Sequence, residues 1–264
     1  MMNTQSVIYE CDERGVATLT LNRPQKHNAF DEQLISELTQ WFERIEQDEK
    51  VRVLILASTG KSFCAGADLN WMQRMADYSY AQNHQDATAL ATMLDKLNGL
   101  NKPTIARVQG SAFGGGIGLI ACCDMAIGTR LSKFCLSEVK IGLIPATISP
   151  YVIQAIGVRQ ARRYFLSAEV FSARRARRLG LLHEAVSEQE LDDSIEKTVN
   201  HLLVNSPQAM HAAKRLIAGV AERPIEESML AMTSERIADI RVSPQGQEGL
   251  QAFLQKRQPD WIKE

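Results

Sequence analysis

An α/β fold with its site at strand ends is what this 264-residue sequence predicts, and three observations predict it. Short apolar runs of strand length alternate with longer segments whose apolar residues recur at helical spacing. Two of those runs, residues 51–57 and 104–108, lead straight into glycine-containing junctions that open helices. After Pro150 the character changes, and helical segments follow one another to the C-terminus.

Residues 7–10 and 16–21 alternate in polarity and are joined by Asp12-Glu-Arg-Gly15, a hairpin pattern. Asn22-Arg-Pro24 ends the second strand. Asp31 is an N-cap for a helix whose stripe is Leu34, Ile35, Leu38, Trp41, Phe42 and Ile45. Strand 51–57 completes a β-β-α-β order. A helix over 80–100 carries Leu90, Met93, Leu94 and Leu97 on one side. Strand 104–108, a helix after Gly115 and strand 124–128 make the next unit, and 133–136 is a short strand before Glu138. Helices are expected at 151–156, 158–167, 172–179, 191–205, 207–220, 225–240 and 244–256. Ser206-Pro207 supplies a cap followed by proline at the first helical position. The expected division is a core over residues 1–200 and a helical region over 201–264.

A formal net charge of −1, with no long block of like charge, gives nucleic acid no electrostatic footprint. The cysteines, Cys11, Cys64, Cys122, Cys123 and Cys135, are odd in number and form no Cys-x-x-Cys pair. They read as reduced thiols of a cytoplasmic compartment, and no Cys/His spacing fits a metal. Residues 1–10 lack a basic-then-apolar leader. The most apolar window, 111–127, is too broken by glycine and Asp124 to span a membrane.

The most informative stretch runs from Lys102 to Gly118, with four glycines between 114 and 118 at the mouth of an apolar helix. N–H groups at such a helix start are free to donate to an anion. Ser58 to Asp68 repeats the layout, with a helix expected from Leu69. Two such junctions either aim two backbone N–H groups at one oxygen, as in an oxyanion hole, or are tight turns where small residues permit close packing. Glu138 lies in the otherwise apolar run 134–145. It is either a buried carboxylate able to exchange protons near neutrality, or the partner of Lys140 or an arginine. Gly116-Ile-Gly-Leu-Ile-Ala121 formally matches a dinucleotide fingerprint, but the helix is too short for a standard βαβ unit. The arginines between 159 and 178 read as a solvated or subunit-facing surface.

Leu21-Asn-Arg-Pro-Gln-Lys-His-Asn-Ala29, Phe63-Cys-Ala-Gly-Ala-Asp68, Gln109-Gly-Ser-Ala-Phe-Gly-Gly-Gly116, Cys123-Asp124 and residues 134–145 and 253–261 carry a resemblance that covers almost the whole chain. In order and spacing they resemble the crotonase, or enoyl-CoA hydratase/isomerase, superfamily. That resemblance implies a crotonase-like spiral of ββα units with a helical C-terminal trimerisation region, as a homotrimer or dimer of trimers. It implies an acyl-CoA thioester as substrate, coenzyme A entering with it, no other cofactor and no metal. The backbone N–H groups matching the family's oxyanion donors are those of Ala67 and Gly115, and Glu138 matches an acid/base position. CoA would lie against Lys26, His27, Ala29, Ala65, Asp68, Leu69 and Gly114, with Phe253 and Lys256 adding contacts, in some members from a neighbouring subunit.

Two-glutamate hydratases of the family carry a further carboxylate at the position that is Gly118 here, so Glu138 stands alone, as in several Δ3,Δ2-enoyl-CoA isomerases. Residues 66–72, 136–151 and 162–166 are similar to bacterial methylglutaconyl-CoA hydratases, and Ala146-Thr-Ile-Ser149 replaces the glycine-rich turn of ordinary members. The expected function is hydration of a branched enoyl-CoA such as 3-methylglutaconyl-CoA in leucine or related acyl-CoA breakdown. One-base isomerisation and non-catalytic acyl-CoA binding are the alternatives.

Overall fold

The computed structural model describes residues 5–262. Strands β1 (Val7–Cys11) and β2 (Val16–Leu21) form the expected hairpin, with Val7 opposite Leu21. Helix α1 (Glu32–Gln47) starts at the predicted cap, where the Asp31 carboxylate accepts from Leu34 N at 2.9 Å. The chain continues through β3 (Val53–Ser58), β4 (Ser62–Cys64), α2 (Leu69–Ala76) and α3 (Tyr80–Gly99). Next come β5 (Thr104–Val108), β6 (Ser111–Phe113), α4 (Gly115–Cys122), β7 (Met125–Thr129) and β8 (Lys133–Cys135). A 3-10 turn over Glu138–Ile141 leads to α5 (Ser149–Ile156) and α6 (Val158–Ser167). Then follow β9 (Phe171–Ser172), α7 (Ala173–Leu179), β10 (Glu184–Val186) and α8 (Leu191–Leu203). Helices α9 (Pro207–Val220), α10 (Glu227–Val242) and α11 (Pro244–Gln255) end the order.

Two sheets result. The larger has the order β1-β2-β3-β5-β7-β10 and is parallel from β2 onward. The smaller has the order β4-β6-β8-β9, with the first three strands parallel. Three times the chain passes from the large sheet to the small one and on to a helix or 3-10 turn: β3-β4-α2, β5-β6-α4 and β7-β8 with its turn. This is the spiral of ββα units. The sequence pattern finds three-residue β8 but misses β4, β6, β9 and β10, because a strand of two or three residues carries little alternation to register.

Register in the small sheet decides where the site forms. Cys64 lies opposite Ala112, and Phe113 opposite Cys135. The residues that follow β4, β6 and β8 therefore emerge side by side, at the C-terminal ends where parallel sheets place ligands.

Helix α4 is apolar all round, and such a helix belongs inside a fold. It packs against α3 and α5, and α1 packs against α3. Leu191, Ile195 and Val199 of α8 close the other face of the large sheet over Val53, Ile55, Ile105 and Ile127. No helix among the described residues is long and apolar enough to cross a membrane.

The C-terminal helices are tied to the core through Asp124. Its Oδ2 accepts from Thr104 N at 2.8 Å, Thr104 Oγ1 at 2.9 Å and Lys214 Nζ of α9 at 2.8 Å. Asp124→Ala leaves these donors unmatched and should lower stability by about 1–3 kcal/mol. Lys214→Met keeps the Thr104 bonds and should lose less. Urea midpoints of the two variants check this, and an unchanged midpoint in Asp124→Ala would contradict it.

Candidate active site

Past β4 the chain runs Ala65-Gly66-Ala67. Phe30 N donates to Gly66 O at 2.7 Å, and Asp68 N donates to Phe30 O at 2.7 Å. These bonds form a parallel bridge between Phe30 and Ala67. A bridge that uses the groups of 66 and 68 turns the N–H of 67 to the opposite side. Past β6, Gly114 N donates to Cys135 O at 3.0 Å, and Gly115 opens α4. The first N–H groups of a helix have no partner within it. Among the described residues, neither Ala67 N nor Gly115 N has a protein acceptor. Both residues are partly exposed, so each N–H is open to solvent or to a ligand.

The two junctions touch. Gly66 has φ 88°, and Gly114 has φ 49° with ψ −121°, conformations that strain any residue with a side chain. A Cβ on Gly66 would lie 3.1 Å from Phe113 O, and one on Gly114 would lie 4.0 Å from Gly66 Cα. The Phe30 ring sits against Gly115, where a Cβ would come within 2.8 Å of Cε2.

Glu138 follows β8 and joins this cluster. A Cβ on Gly114 would lie 3.0 Å from Glu138 Oε1. The other oxygen, Oε2, is buried and has no hydrogen-bond partner. Among the described residues no ion pair accounts for the carboxylate, and Lys140 is exposed. Burial pushes its pKa above the ordinary glutamate value, and a hydrogen bond from its own backbone offsets only part of that.

The expected CoA-facing segments are hydrogen-bonded to each other. Ala65 N donates to His27 O at 3.0 Å, and His27 Nδ1 is 3.1 Å from Ser62 Oγ. His27 and Asn28 both have positive φ, and Asn28 is fully buried. Its Nδ2 donates to Thr59 O at 2.8 Å and Ser62 O at 2.9 Å, and its Oδ1 accepts from Arg23 N at 2.8 Å. Ala29 is buried behind this turn. Lys26 Nζ lies 3.1 Å from Asp68 Oδ2, and Asp68 Oδ1 caps α2 by accepting from Asn70 N and Trp71 N. Burial raises the Asp68 pKa, but Lys26 and the capping N–H groups lower it further, so it stays below the usual carboxylate range. Asp68 thus holds Lys26 and α2 in place, while Leu69 beside it is 81% exposed. Phe253 and Lys256 are exposed at the end of α11, which packs on α10 and α9, and they do not join the cluster within one chain.

Sequence reasoning misses three residues here. Asn28 lies within the motif at 21–29 and Phe30 directly follows it, but only the bridge and the hydrogen bonds reveal their work. Ile148 fills the space above Gly118, where a Cβ would lie 2.2 Å from Ile148 Cγ2. Burial pushes the Cys64 and Cys123 thiols up to about 12, so both stay protonated.

Residues 12–264 match the family model described as enoyl-CoA hydratase/isomerase. The chain belongs to the enoyl-CoA hydratase/isomerase family. Its fold superposes on the crystal structure of an enoyl-CoA hydratase from Shewanella pealeana with a TM-score of 0.95 and 47% identity, covering 98% of this chain and 97% of that one. A probable enoyl-CoA hydratase of Mycobacterium tuberculosis is 32% identical over 98% of this chain and 99% of its own length. A 1,2-epoxyphenylacetyl-CoA isomerase of Escherichia coli is 30% identical over 94% of this chain and 95% of its own. The protein is an acyl-CoA enzyme of the hydratase/isomerase class.

A raised pKa gives the pH dependence a sign. Glu138 favours the folded state most at low pH, and that contribution is lost as pH rises through its folded value. Glu138→Gln removes the ionisation. Relative to the native protein, the variant should gain stability at about pH 8 and gain less at about pH 5. Urea unfolding at both pH values checks this, and equal differences would contradict a desolvated carboxylate.

Proposed function

We propose that this enzyme adds water across the double bond of a branched 2-enoyl-CoA, 3-methylglutaconyl-CoA or a close analogue, with Glu138 as its acid–base group. The observation that carries the reading is the buried, unpartnered Oε2 of Glu138 beside two backbone N–H groups without protein acceptors. A water held by Glu138 attacks C3 and gives its proton to the carboxylate. The π electrons move through C2 to the thioester oxygen, where the N–H groups of Ala67 and Gly115 stabilise the enolate. The enolate then collapses, and C2 takes the proton from Glu138. One water has been added and the carboxylate is regenerated. A donor of this kind contributes about 3–4 kcal/mol to the transition state. A group that both takes and returns a proton works best with a pKa near the working pH, which suits the upward shift of Glu138.

No metal or redox group enters this scheme. Coenzyme A arrives with the substrate and lies along residues 26–29 and 65–69. Similarity of residues 66–72 and 136–151 to methylglutaconyl-CoA hydratases supports the branched substrate and a place in leucine or related breakdown. Lys140, two residues beyond Glu138 and exposed, is a cation available to that substrate's second carboxylate. The free cysteines fit a reducing cytoplasm. Exposed Ile217, Leu230, Val242, Phe253 and Leu254 on the C-terminal helices support a homotrimer or dimer of trimers.

Isomerisation is the second reading, favoured by the apolar surroundings of Gly118. Glu138 would take a proton from C2 of a 3-enoyl-CoA and return it to C4. A non-catalytic binder gives no reason to hold a carboxylate oxygen buried and unpartnered, which is unfavourable in itself.

Glu138→Gln should lower turnover by ~10²–10⁴-fold. Native enzyme given 3-methylglutaconyl-CoA in heavy-oxygen water should form a labelled 3-hydroxy product, read by mass spectrometry. No labelled product, together with migration of a 3-enoyl double bond, would replace hydration by isomerisation.

A further inference from the structure

Gly118 lies in α4, four residues beyond Gly114, the residue that precedes the helix. Positions that far apart along the chain at a helix start are roughly 6 Å from each other. At 114 the added Cβ meets Glu138 Oε1 at 3.0 Å. At 118 it meets Ile148 Cγ2 at 2.2 Å and Ile148 Cβ at 2.9 Å, with Leu94 Cδ2 at 3.6 Å. Glu138 therefore lies against the mouth of α4 and Ile148 against its first turn. Ile148 is 2% exposed and is fixed at the start of α5, where Val152 N donates to its carbonyl at 3.0 Å. A contact of 2.2 Å is far inside van der Waals distance, so no side chain at 118 coexists with Ile148 in this position.

We propose that Ile148 is the specificity-determining residue that confines the acid–base chemistry of this site to Glu138. Its methyl groups fill the place beside Glu138 from which a second carboxylate on α4 would act. Gly118 and Ile148 form a matched pair of small and large, and the wall next to Glu138 is apolar as a result. One carboxylate must then both activate water and deliver the proton. This inference rests on the reading of Glu138 as the acid–base group.

A double-mutant cycle tests the contact. Gly118→Ala alone should lower Tm, because its methyl group has no room. In an Ile148→Ala background the same change should raise Tm, because it fills vacated space and alanine suits a helix better than glycine. An equal effect on Tm in both backgrounds overturns the proposal. The chemistry is tested by Gly118→Glu combined with Ile148→Ala, compared with Ile148→Ala alone on crotonyl-CoA. The double variant should hydrate at least ~10-fold faster, and its pH–rate profile should gain a second ionisation. A double variant that does not fold, or that folds but hydrates no faster and keeps a single ionisation, overturns the proposal. Glu138→Gln in the native background separates the two layers. If it stays active, the acid–base reading itself falls. If it is inactive while the double variant gains nothing, only the role given to Ile148 falls.

Discussion

The close passage of the chain at Gly66 past the chain at Gly114 is the constraint on which the site depends. It follows from the register of two three-residue strands, with Cys64 opposite Ala112. Strands that short have little stability of their own. The arrangement is held from outside by the Phe30–Ala67 bridge, by three hydrogen bonds to buried Asn28 and by the Phe30 ring against Gly115. A third short strand, β8, brings Glu138 to the same place. Donors and carboxylate are thus delivered by three neighbouring strand ends, and none of them depends on a long loop.

Carboxylates in this protein divide by what surrounds them. Asp31, Asp68 and Asp124 are partly or largely buried, and each accepts from backbone N–H groups and pairs with a cation. Partners of this kind stabilise the charged form and fix geometry. Glu138 has neither cation nor donor on its buried oxygen. A buried oxygen left unmatched, where those three carboxylates are matched, fits the acid–base role proposed for Glu138.

Much of this was legible in the sequence where the signal is local. The Asp31 cap, the helical stripes, the two glycine junctions and the apolar setting of Glu138 are all read within about ten residues of chain. Of the small sheet, which assembles the site, only β8 was legible, because the pairing joins segments far apart in sequence and β4, β6 and β9 are too short to show a period. The absence of a carboxylate at 118 and the unusual Ala146–Ser149 run were each visible as separate departures from a family pattern. That they meet, with Ile148 filling the space above Gly118, is a tertiary fact. Phe253 and Lys256 were read from the same pattern, but α11 leaves them exposed within one chain.

The convergence of the Ala67 and Gly115 N–H groups is tested most directly by a vibrational difference spectrum of a bound acyl-CoA whose thioester carbonyl carries an isotope label, recorded with Glu138→Gln so that no turnover intervenes. Two N–H donors on one oxygen polarise the C=O bond, so its stretch must fall below the solution frequency on binding. A bound carbonyl at or above its solution frequency would mean that the two groups do not meet on the thioester oxygen.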